Sequence, residues 1–201
     1  MTALAELRET QFDPLFAGQA LFRRVLEATA RPGLVVPLGD VALAVPSPRL
    51  RPACALLLAI LDREVSFHVV GPAAERVREY LRFNTGAHVV GQEAADFLLV
   101  TASGSRWQGA RRGTLEAPHE GATVVCVPSR LGCPPEVADV TLGLQGPGIS
   151  GEAQLSMQGL RADDLAPLWT RQEFPLGVDL WLAAADGHLA VIPRSTRCRA
   201  L

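Results

Sequence analysis

Apolar positions in the first part of the chain follow a helical period. Between Asp13-Pro14 and Arg31-Pro32-Gly33, the residues Leu15, Gly18, Leu21, Phe22, Val25 and Leu26 share one arc of a helical wheel, and Gln19, Arg23, Arg24 and Glu27 occupy the other. Asp13 is a good N-cap, Pro14 suits the first helical position, and the Pro-Gly pair stops the helix, so the spacing predicts an amphipathic helix ending at Ala30. Leu34 to Pro37 and Val41 to Val45 then read as short strands of a hairpin around Gly39-Asp40. Pro52 opens a second helix through Leu61 that is apolar on nearly every side and is therefore expected between other elements.

Val65 to Val70 reads as a strand, followed by a third helix from Pro72 to about Asn84 with Ala73, Val77, Tyr80 and Leu81 inward. Ala87 to Val90, Asp96 to Thr101 and Ala122 to Val127 are further strands, and Gly104 to Gly113 reads as a surface loop. The period then changes to alternation, which predicts a hairpin of Asp139–Gln145 with Ala153–Gln158 around Gly146-Pro147-Gly148-Ile149. A helix from Asp163 to about Glu173 and a second hairpin, Val178–Ala184 with His188–Ile192 across an Asp186-Gly187 turn, complete the chain. Alternating strands and helices followed by hairpins predict a three-layer α/β/α fold with a mixed sheet, in one domain over residues 1–201.

Composition removes several chemistries. Nineteen basic residues face twenty-one acidic ones, for a formal charge of −2, so the basic signature of a nucleic-acid binder is missing. All nineteen are arginine. Without lysine there can be no Schiff base to pyridoxal phosphate, no lysine general base and no P-loop lysine. The cysteines Cys54, Cys126, Cys133 and Cys198 form no C-x-x-C pair and read as small apolar residues. The longest apolar run, Ala53 to Leu61, is well short of the roughly 20 residues that span a bilayer, and no leader pattern opens the chain; a soluble, intracellular protein is expected.

The search for a reactive constellation yields little. His68, His88, His119 and His188 fall on different predicted elements without metal-ligand spacing, so no metal is expected, although a site assembled from distant segments stays open. Ser103 lacks the preceding glycine of a nucleophile elbow. The Gly146-Pro147-Gly148 loop leads into a strand rather than a helix N-terminus, and so reads as a turn before it reads as an anion site. The tail Pro193-Arg194-Ser195-Thr196-Arg197 sets two guanidinium groups and two hydroxyls after a strand, a chemistry suited to phosphate or phosphonate oxygens, but it reads as a solvated terminal strand before it reads as an anion site.

Several unusual segments nevertheless recur in a known order. Phe12-Asp13-Pro14 with Gln19, Phe22 and Arg23 is followed by Ala30-Arg31-Pro32-Gly33, Asp96-Phe97-Leu98, Gly113-Thr114-Leu115 with Pro118, and Gly121-Ala122-Thr123. Leu144 with Gly146-Pro147-Gly148-Ile149, Phe174-Pro175-Leu176-Gly177-Val178-Asp179-Leu180 and Ile192-Pro193-Arg194-Ser195-Thr196 close the series. Together, from about residue 10 to 197, they resemble the H subunit of the bacterial carbon–phosphorus lyase system for phosphonate use. The family's tail usually reads Pro-Arg-Thr-Thr, so Ser195 keeps the hydroxyl and loses the methyl group.

The resemblance implies a cytoplasmic subunit with a fold related to the large domain of pyridoxal-phosphate-dependent transferases, but without that cofactor or any other. It implies a homodimer in isolation and assembly with the G, I and J subunits of the lyase core complex, with the L protein as a functional partner. The reaction it supports displaces adenine from ATP by a phosphonate, giving a ribose 1-phosphonate 5-triphosphate. The implied role is non-catalytic, with the first helix and Trp107, Trp169 and Trp181 as candidate interface anchors; core packing is the other reading of these tryptophans, and for Trp169, on the inward face of a helix, it is the favoured one. Arg31, Gly33, Arg194 and Thr196 are expected to border a cleft that receives an anionic ligand. The alternative is an enzyme in its own right, acting on a nucleotide or phosphorylated substrate.

Overall fold

A computed structural model describes residues 12–39 and 43–201. Its centre is a seven-stranded mixed sheet. Four strands run parallel to one another in its middle: β2 (Ser66–Val70), β4 (Phe97–Val100), β5 (Thr123–Cys126) and β9 (Asp179–Ala183). The short β3 (His88–Val89) adds in parallel outside β2, while β10 (His188–Ile192) and then β1 (Val36–Pro37) add antiparallel beyond β9. The order is β1-β10-β9-β5-β4-β2-β3.

Alternation along these strands builds two cores. Leu99, Val125, Trp181, Leu189 and Val191 face three helices: α1 (Phe16–Ala30), α2 (Arg51–Ile60) and α3 (Ala74–Thr85). Helix α2 lies deepest, with every residue from Ala53 to Leu58 buried, as its all-round apolar sequence requires. Val100, Val124, Cys126, Leu182 and Ala190 face the opposite layer. That layer is a second, antiparallel sheet in the order β11-β7-β8-β6, made of β6 (Arg130–Leu131), β7 (Val140–Gln145), β8 (Ala153–Gln158) and β11 (Arg197–Ala200), with two short helices, α4 (Ala162–Leu165) and α5 (Pro167–Thr170).

Several expectations are met and several are corrected. The β7–β8 and β9–β10 hairpins form in the expected places. The outer layer on the second face is mostly sheet, so the layering is not α/β/α: the alternating segments after Asp139 pair with each other instead of joining the main sheet. Val36-Pro37 pairs with Leu189-His188; residues 43–45 form no strand, and the expected Asp40-Val41-Ala42 portion lies outside the described residues. The helix expected from Asp163 is two single turns. Pro167 cannot donate to the preceding turn, and it starts a new one.

In α1 the buried residues are Gly18, Leu21, Val25 and Ala28, whereas Leu15, Phe16, Phe22 and Leu26 are exposed. Asp13 caps the helix as expected, its Oδ1 accepting from the N–H groups of Leu15 and Phe16 at 2.9 and 3.0 Å. Trp107 and Trp181 are not surface anchors. Trp107 is buried with its Nε1 donating to the Asp164 carbonyl at 2.7 Å, and Trp181 packs edge-on against Phe97 beneath the helices. Among the described residues no helix is long and apolar enough to cross a membrane.

Candidate functional site

Three of the segments singled out in the sequence meet at one corner of the second sheet. The turn after β7 puts Gly146 and Gly148 at φ +149° and +81°, conformations open to glycine and costly for other residues. A Cβ on Gly146 would come within 3.1 Å of the Ser195 carbonyl oxygen, and one on Gly148 would collide with the Ala30 carbonyl oxygen and reach Pro32 at 3.0 Å. The turn is thus wedged between the end of α1 and the closing segment 193–197. Gly33, at φ +87°, lets the corner lie against Leu144 and Ala153 of the same hairpin.

A cleft of about 580 Å³ opens beside this junction. One wall is the closing segment from Arg194 to Cys198, and the other is α5 with the turn that follows it, contributing Trp169, Gln172 and Phe174; Pro147 stands at one end. Thr196 is almost wholly buried, and its Oγ1 has no hydrogen-bond partner among the described residues. The Nε2 of Gln172 is likewise unpartnered, while its Oε1 accepts from the Val178 N–H at 2.8 Å. Arg197 is exposed on the rim, and no acceptor among the described residues engages its guanidinium.

Arg194 lines this cleft but is committed elsewhere. Its Nη2 donates to Asp179 Oδ2 at 2.6 Å and to the Gly121 carbonyl at 3.1 Å, and its Nη1 donates to the Pro118 carbonyl. It therefore fastens the irregular 111–121 segment to β9. Arg111 ties the other end of the segment to the start of β4, pairing with Asp96 and donating to the Glu120 carbonyl. Arg31 is exposed behind the Gly146–Gly148 turn and is not among the residues lining the cleft. Of the four expected site residues, then, Thr196 and Arg194 face the cleft, and Arg31 and Gly33 form the corner that supports it.

Sequence reading alone missed Trp169, Gln172 and Phe174 as a wall. Trp169 had the spacing of an inward helix residue; it is half-buried, packed on the second core and facing the cleft at once. Phe174 stood inside the Phe174-Pro175-Leu176-Gly177 segment, which was informative, but nothing local showed that it would be 70% exposed.

Cys198, Cys54 and Ser103 are held quiet. Burial pushes the Cys198 thiol up to about 12 and that of Cys54 equally high, so the cleft cysteine stays protonated and a poor nucleophile at neutral pH. Ser103 does pair with a carboxylate, donating to Asp164 Oδ2 at 2.5 Å, but the same Asp164 accepts from the N–H groups of Gly104 and Arg161 at 2.7 and 2.8 Å. It ties the 103–107 loop to α4. Among the described residues, no three His, Cys, Asp or Glu side chains are placed to hold a metal ion.

The glycine junction and the cleft bring together three of the segments that carry the resemblance to a phosphonate-metabolism subunit. The sequence profile of the family described as bacterial phosphonate metabolism protein PhnH matches residues 10–199, and the chain belongs to that family. A putative C-P lyase subunit protein, HtxG, of Stutzerimonas stutzeri is 38% identical over 188 residues, covering 89% of this chain and 84% of that protein. The alpha-D-ribose 1-methylphosphonate 5-triphosphate synthase subunit PhnH of Rhizobium meliloti (strain 1021) is 30% identical over 205 residues, covering 98% of each.

Proposed function

We propose that this protein is a required, non-catalytic subunit of a carbon–phosphorus lyase core complex. It supports the step in which a phosphonate displaces adenine from ATP to give a ribose 1-phosphonate 5-triphosphate. Family membership over almost the whole chain, with full-length relatives named as subunits of such systems, is the observation that carries this reading. The site chemistry supports it. Arg194 is spent on holding the fold and Cys198 stays protonated, so what faces the cleft is suited to holding a ligand more than to breaking bonds.

In this reading the chain is one domain that works in the cytoplasm, pairs with itself when alone and joins the G, I and J subunits, with the L protein acting alongside. Leu15, Phe22 and Leu26, which share the exposed arc of α1, are the apolar surface it offers for assembly. The parallel strands covered by helices on one face support kinship with the large domain of pyridoxal-phosphate-dependent transferases. With no lysine the chain cannot hold that cofactor through a Schiff base. An anionic ligand sits at Thr196, with Arg194 as a positioning residue and the Arg31–Gly33 corner as its support.

Co-expression with the G and I subunits tests the assembly. Recovery of this chain in one stoichiometric particle with them is expected. Its separation from both under mild salt would refute the subunit role.

A further inference from the structure

Two aromatic side chains form one wall of the cleft, half-buried Trp169 and exposed Phe174. The wall opposite carries Ser195, Thr196 and the exposed guanidinium of Arg197. The volume of about 580 Å³ falls within the range typical of small-molecule sites, roughly 300–1,000 Å³. A hydroxyl as deeply buried as that of Thr196 rarely lacks a partner in a native protein, so its orphaned state marks where one is missing. Each wall favours a different part of a ligand. Planar rings stack on aromatic faces, whereas guanidinium and hydroxyl groups bind phosphate oxygens.

Glu173 also lines the cleft. A carboxylate there repels a bare polyanion, but it can accept hydrogen bonds from a sugar hydroxyl or an exocyclic amine. A ligand that carries base, sugar and phosphate together uses every group present; an inorganic phosphate uses only one wall and meets the carboxylate.

We propose that this cleft is a binding site for a nucleoside phosphate, with its base against Trp169 and Phe174 and its phosphate oxygens on the Ser195–Arg197 wall. The inference deepens the phosphonate-processing reading, on which it rests for the supply of such a ligand. It gives this subunit a direct hold on the nucleotide.

Calorimetric titration of the full chain with ATP, adenosine and inorganic triphosphate tests it. ATP should bind at least about tenfold more tightly than either fragment. Phe174→Ala should weaken ATP about tenfold, the scale of one lost base stack, and leave inorganic triphosphate unchanged. Arg197→Gln should weaken ATP and triphosphate and leave adenosine unchanged. Both side chains are exposed, so neither change endangers the fold. Failure of ATP to bind at millimolar concentration would overturn the proposal, as would ATP and inorganic triphosphate binding equally with no effect of Phe174→Ala. Co-purification of the same variants with the G and I subunits reads the assembly role separately, so a failure of nucleotide binding leaves that role standing.

Discussion

Arg194 grips Asp179 through its side chain and its backbone: Nη2 lies 2.6 Å from Oδ2, Nε 3.2 Å from the same oxygen, and the Arg194 N–H 2.8 Å from Oδ1. Neither side chain is more than a third exposed, so the pair is poorly screened by water. The same guanidinium donates to the carbonyls of Pro118 and Gly121 on the 111–121 segment.

Arg194→Ala should therefore act on stability first. It removes the ion pair from Asp179, which keeps only the residue-194 N–H, and it takes the guanidinium away from the Gly121 carbonyl, for which a loss of about 2–3 kcal/mol is expected. Urea unfolding reads this directly. Unchanged stability combined with lost activity would instead assign Arg194 a direct ligand contact.

Acid should weaken the fold through two carboxylates. Burial pushes Asp164 up, but the Ser103 hydroxyl, the Arg161 and Gly104 N–H groups and the Arg161 charge outweigh it and hold the carboxyl below its usual range. At Asp96 burial again opposes, and the Ser66 hydroxyl and N–H with Arg111 prevail. A carboxylate lowered in the folded state contributes full stability above its unfolded value, about 3.9, and loses that contribution as the pH falls through the folded value. Unfolding free energy should hold from pH 7 to 5 and decline below about pH 4. Asp164→Asn should be less stable at pH 7 and decline less steeply in acid; a decline as steep as that of the parent chain would contradict the assignment.

Gly148 and Gly151 offer a matched comparison, since both have φ +81° but only Gly148 is enclosed. Gly151→Ala has only the left-handed backbone to bear, at about 1 kcal/mol. Gly148→Ala must in addition push the hairpin turn off the Ala30 carbonyl, and it should lower the melting temperature several times as far. Equal melting temperatures would mean that the junction is not held as described.

The exposed arc of α1 separates folding from assembly. Phe22→Ser and Leu26→Ser remove apolar groups that are about half exposed, so thermal unfolding should change little. Recovery with the partner subunits should drop. Full recovery would move the interface elsewhere.

Much of this fold was legible in the sequence, for local reasons. The Gly146-Pro147-Gly148 and Asp186-Gly187 turns announced their hairpins, and the apolar runs at 97–100 and 123–126 announced strands buried on both faces. Helical spacing placed α1 but misjudged its width. Phe22 and Leu26 lie beside Leu21 and Val25 on the wheel, yet the sheet covers only the arc centred on Leu21 and Val25. The site was legible as residues and not as geometry. The Arg194-Ser195-Thr196 segment could be read as an anion-holding motif, but its nearest carboxylate, Asp179, lies one strand earlier, and only the β9–β10 register brings it into reach. The aromatic wall depends on the break at Pro167, which turns the chain so that Trp169 and Phe174 face the tail.

Release of adenine from ATP and methylphosphonate by the G, I and L proteins, assayed with and without this chain, tests the central claim most directly. Release that requires this chain, together with no release by the chain alone, is the predicted result. Adenine release that proceeds equally well in its absence, or that the isolated chain performs unaided, would contradict the account.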